Sequence, residues 1–120
     1  MWSYEIASGQ LSHNSVLAGF GYSGHEQGLN SVEHEQVANI GPVPRGTYSI
    51  GTFFDDPGGK GPVVAHLTPD AGTNDFGRSG FMIHGDNKAG DHSASHGCII
   101  LSRPLREAIS ASGDRTLEVI

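Results

Sequence analysis

The chain has 120 residues, enough for one ordinary domain, and a formal net charge of −6 from 7 basic and 13 acidic side chains. Its 18 glycines are about twice the ordinary share, so loops are abundant, but they follow no three-residue period and collagen is excluded. The basic residues are scattered from Arg45 to Arg115 and give no footprint for nucleic acid, and no apolar run approaches the ~18 residues a membrane helix needs.

Trp2, Tyr4 and Ile6 alternate with Ser3, Glu5 and Ala7, the period of a half-buried strand, and the Ser8-Gly9 turn predicts a hairpin onto Gln10–His13. Ser23 to Asn39 is polar and glycine-bearing and reads as a long loop holding one helical turn. Gly41-Pro42-Val43-Pro44-Arg45-Gly46 is rigid turn material, and Thr47 to Phe53 behind it reads as a strand rich in β-branched and aromatic residues. Asp55 to Gly61 reads as a hairpin loop, Val63 to Thr68 as the return strand, and Phe81-Met82-Ile83 as a short buried strand. Ser102-Arg103-Pro104 opens a helix of about ten residues with Leu105, Ala108 and Ile109 on one face and Gly113 as terminator. Arg115 to Ile120 alternates again, so the sum is a mainly β domain over residues 1–120 with one short helix near its end.

The chemistry concentrates between Ile83 and Ile99: Ile83-His84-Gly85-Asp86-Asn87, a polar interval, then Ser95-His96-Gly97-Cys98-Ile99. A cysteine attacks carbonyl carbon as its thiolate, so it needs a base or imidazolium beside it and N–H donors aimed at the developing oxyanion. His84, fixed at the end of a buried strand, is the expected base, and Cys98, brought back by the intervening loop, the expected nucleophile. Gly97 clears the approach of the substrate carbonyl, and the N–H groups of Gly97 and Cys98 are the expected oxyanion donors. His96 is two residues from Cys98, so an extended backbone points both to one face, where His96 polarises the thiolate or holds the loop.

His84-Gly85, a spacer, then Ser95-His96-Gly97-Cys98-Ile99 resembles the signature of the L,D-transpeptidases, cysteine enzymes of bacterial peptidoglycan. The strand entry Pro42 to Ile50 and the closing strand Gly113 to Val119 extend the resemblance over roughly residues 40 to 120. Gly21-Tyr22-Ser23-Gly24-His25 and Gly28-Leu29-Asn30 are most similar to the compact subgroup deployed as type VI secretion effectors. The chain departs from the signature in having Ile100 where an arginine is usual two residues after the cysteine, and in a short spacing of 14 between His84 and Cys98.

The resemblance implies an L,D-transpeptidase-like β-sandwich or barrel in which Cys98 attacks the third residue of a tetrapeptide stem and expels D-alanine. The thioester is then resolved by another stem, a free D-amino acid or water, with no metal or organic cofactor. Ser95, Arg103, Asp86 and His25 are the candidate substrate contacts, Arg103 for a stem carboxylate in place of the missing arginine. Met1 to Glu5 lacks a basic region followed by an apolar one, so no export signal is expected. The implied route is synthesis in the cytoplasm and type VI delivery to a target cell's periplasm, with peptidoglycan stem peptides as substrate and a cognate immunity protein as partner. Two other classes are carried beside this: a zinc hydrolase using His84, Asp86, His92, His96 and Cys98, although no accepted ligand spacing is present, and a non-catalytic cell-wall binding module.

Overall fold

Buried Trp2 and Tyr4 make Trp2–Tyr4 the first strand, β1, and it pairs antiparallel with β2, Gln10–His13, through the hairpin that the alternation predicts. The computed structural model describes residues 1–57 and 59–120 and continues this hairpin into β3, Val16–Phe20, at one end of the strand order. A two-residue strand, β4, Tyr22–Ser23, follows. Where one helical turn was expected, the polar loop winds two 3₁₀ turns, Glu26–Gly28 and Val32–His34.

Strand β5 spans Gly46–Ile50 and stops short of the predicted Phe53. Phe54–Asp56 forms β6, taking two residues of the predicted Asp55–Gly61 loop into the sheet, and Gly58 of that loop lies outside the described residues. The long β7, Gly61–Pro69, carries three partners along its length: β6 at its start, β8, Met82–His84, in its middle, and β5 at its end. The chain closes with β9, Ile99–Ile100, α1, Arg103–Ser112, and β10, Thr116–Val119.

The strand order is β3-β2-β1-β10-β5-β7-β8-β9-β4, mixed because β1–β10 and β8–β9 are parallel and the other pairs antiparallel. The fold is therefore mainly β with one helix near its end. Pro104 occupies the first turn of α1, and Gly113 at φ +69° adopts the left-handed conformation that ends it. Ser102 has the extended backbone of a cap but makes no side-chain cap bond. The helix buries Ile109 and packs Leu105 onto a core of Tyr4, Ile6, Leu11, Tyr48, Ile83, Ile99, Leu101 and Leu117.

Ile83 and Ile99 decide where the chemistry falls. They are register partners on the parallel pair β8–β9 and both lie in the core. His84, the last residue of β8, pairs with Ile100, and Cys98 directly precedes β9, so the two residues are brought to the same end of this strand pair.

Candidate active site

His84 is held in one tautomer. Its Nδ1 lies 2.7 Å from the Gly85 carbonyl oxygen, which can only accept, so Nδ1 carries the proton and Nε2 the lone pair. That Nε2 is buried and, among the described residues, has no hydrogen-bond partner. Burial lowers the His84 pKa below that of a free imidazole, the Gly85 bond opposes this, and the positive charges of Lys60 and Arg106 add to the lowering. A neutral imidazole with an unspent lone pair is a base waiting for a proton.

Cys98 is partly buried, and its Sγ lies 3.8 Å from the Gly80 carbonyl oxygen. Burial raises its pKa, so the resting group is a thiol, while the Met82 N–H and the charges of Lys60 and Arg78 favour the thiolate. The sulfur is turned toward Gly80, and no hydrogen bond joins it to His84 Nε2.

The Cys98 backbone is fastened from two sides. The Cys98 carbonyl oxygen accepts hydrogen bonds from Ser95 Oγ at 2.6 Å and Ser23 Oγ at 2.8 Å. Ser95, expected as a substrate contact, is completely buried, and its oxygen also accepts from the N–H groups of Gly24 at 2.9 Å and Gly97 at 3.3 Å. The Gly97 N–H, expected at the oxyanion, is thus turned inward to Ser95. Ser23 in turn accepts from the Val43 N–H, which ties the proline-rich turn to the same point.

Arg78 was not singled out by the sequence, yet it lies buried beside the nucleophile's turn. Its guanidinium donates to the carbonyl oxygens of Glu35, Pro42, Gly41 and His96 and lies over the Phe81 ring. Gly97 is glycine for two reasons: its φ of +132° is strained for any other residue, and a Cβ there would sit 2.5 Å from Arg78 Nη2. Arg106 makes the second buried cation, donating to the carbonyls of Leu101, Pro62 and Val63 behind Gly85.

His96 points away from the face that an extended backbone would give it, because the chain bends at Gly97. Its Nδ1 donates to the Asn39 carbonyl at 3.1 Å and its ring packs on that of His25, centroids 4.7 Å apart. His25 is held by this contact and by Glu26 Oε1 at 3.4 Å. Asp86 accepts from Tyr22 Oη at 2.7 Å and from the Asn87 N–H at 2.9 Å, and Tyr22 also accepts from the Ala94 N–H. Burial and the Asp86 bond push the Tyr22 phenol up to about 12, so it stays a donor that pins both ends of the 85–94 loop. Arg103 lies exposed at the start of α1, 3.7 Å from Glu107, and is not brought to these groups.

Beside His84 runs a groove of about 270 Å³ lined by Lys60, His84, Gly85, Asp86, Asn87, Ala94 and His96; Cys98 is not in its lining. A larger concavity of about 380 Å³, lined by Phe53, Phe54, Val63 and α1 residues, holds neither His84 nor Cys98. Among the described residues no three or more His, Cys, Asp or Glu side chains converge as metal ligands, so the cluster weighed for zinc is not assembled. No helix among them is long and apolar enough to cross a membrane.

Residues 18–116 match the family described as the Tlde1 domain, and none of the curated proteins matches the chain. The matched stretch runs from within β3 to the start of β10, and with it come the entire groove, His84 and Cys98. The chain belongs to the Tlde1 domain family of type VI secretion L,D-transpeptidase effectors.

Proposed function

We propose that this protein is a cysteine L,D-transpeptidase and L,D-carboxypeptidase that acts on peptidoglycan tetrapeptide stems in the periplasm of a target cell. The observation that carries the reading is His84: its Nδ1–H is committed to Gly85 and its Nε2 lone pair is left unpartnered among the described residues, at the end of the strand paired with β9, which the chain's one cysteine directly precedes.

The opposed pKa shifts favour a neutral resting pair over a preformed ion pair. His84 Nε2 takes the Cys98 thiol proton as Sγ bonds to the carbonyl carbon of the third stem residue. The Cys98 N–H faces the oxyanion, because Gly97 gives its own to Ser95. Collapse breaks the C–N bond, and His84 returns the proton to the departing D-alanine nitrogen, leaving a thioester. Water, a free D-amino acid or a second stem then attacks that thioester with His84 again as base, which gives trimming, exchange or a 3–3 cross-link. Asp86, with one oxygen committed to Tyr22, offers the other to an ammonium of the stem. Ser95, Gly97, His25 and His96 shape and hold the turn that presents Cys98. An immunity protein that covers the groove is the expected partner.

Purified protein is incubated with disaccharide tetrapeptides and the products read by mass spectrometry. Wild type is expected to release D-alanine, and Cys98→Ala to release none while unfolding at an unchanged midpoint. Turnover by Cys98→Ala would refute the assignment of the nucleophile.

A further inference from the structure

Lys60 sits in the wall of the groove that holds His84, on the turn between β6 and β7. The Lys60 N–H donates to the Asp56 carboxylate Oδ2 at 3.1 Å, which fixes its backbone at the groove. Among the described residues no carboxylate lies within ion-pair distance of its ammonium, in a chain with nearly twice as many acids as bases.

The two buried cations near the site, Arg78 and Arg106, are spent on carbonyl oxygens. Lys60 lines the same groove as His84, and its charge disfavours imidazolium at His84 and favours thiolate at Cys98. Across the same groove Asp86 supplies the opposite sign.

We propose that Lys60 binds the free terminal carboxylate of the peptide whose last residue is expelled. It takes the part that the sequence suggested for Arg103, and it makes a chain end, rather than an internal peptide bond, the preferred substrate. This rests on the reading of Cys98 and His84 above and adds to it the end of the substrate that the groove grips.

The test separates binding from chemistry by working in the Cys98→Ala background. A stem tetrapeptide with a free terminal carboxylate and the same peptide with a terminal amide are titrated calorimetrically into Cys98→Ala, Cys98→Ala/Lys60→Gln and Cys98→Ala/Lys60→Arg. Lys60→Gln is expected to weaken the free-acid peptide about fivefold, the scale of a partly solvated ion pair, to leave the amide unchanged, and Lys60→Arg to restore most of the loss. Equal weakening of acid and amide, or no weakening of either, overturns the proposal. D-alanine release by otherwise wild-type protein is scored separately, so that a binding contrast without turnover would sink the chemistry and leave Lys60 standing.

Discussion

Replacing Ser95 by alanine separates a residue that touches substrate from one that holds the nucleophile. The hydroxyl makes three bonds inside a completely buried site: one from Gly24 N at 2.9 Å, a longer one from Gly97 N at 3.3 Å, and one to the Cys98 carbonyl at 2.6 Å. Removing it orphans the buried Gly24 N–H at about 1–3 kcal/mol, and the weaker Gly97 bond adds about 0.5 kcal/mol. The Cys98 carbonyl keeps Ser23, so its loss adds about 0.5 kcal/mol more. The sum is about 3 kcal/mol. With an unfolding entropy of ~2.1 cal/mol/K per residue, a chain of 120 residues has about 0.25 kcal/mol/K, so Tm should fall by about 12 °C. Thermal and urea unfolding followed by circular dichroism measure this, and D-alanine release measured in parallel should show kcat falling with little change in KM. An unchanged Tm with a raised KM would mean that the hydroxyl faces substrate and that the assigned bonds are wrong.

The activity should depend on pH through His84. Burial lowers its pKa, so the acid limb of kcat/KM should lie below the 6.5 of a free imidazole, and a limb above 6.5 would contradict the neutral resting base. The same shift has a stability consequence whose sign is fixed: below pH 6.5 the unfolded imidazole takes a proton that the native one resists, so stability should fall as the pH drops from 6.5, and His84→Gln should flatten that slope in urea titrations. Gly97→Ala forces a strained φ and drives a methyl against Arg78, so the urea midpoint should fall by the equivalent of about 2 kcal/mol and D-alanine release should collapse; an unaltered midpoint would show that the turn relaxes freely.

What the sequence made legible was local. The hairpin at Trp2 to His13 and the helix between Ser102 and Gly113 rest on alternation and on proline and glycine placement that neighbouring residues display on their own. The parallel contacts β1–β10 and β8–β9 join segments far apart or separated by a loop, and no local pattern announces which strands will meet. Spacing alone left two roles open for His96, beside the thiol or holding the loop: two residues from Cys98 place a side chain on its face only if the backbone is extended, and Gly97 bends it. Arg78 and Lys60 stayed hidden because their surroundings are other segments' carbonyls and a groove wall, neither of which has a sequence signature. The one available signal was negative: with Ile100 after the cysteine, a cation had to be sought elsewhere in the chain.

The protonated state of Cys98 bears on durability as well as on reactivity. Peroxides and disulfides are attacked by the sulfur anion, and a sulfur kept neutral by its surroundings reacts with them slowly. With one cysteine in the chain, no neighbouring thiol resolves a sulfenic acid, so its repair falls to an external thiol. On the proposed mechanism, in which an imidazole accepts the proton only as the peptide is attacked, the neutral sulfur is spared oxidants until a substrate is in place.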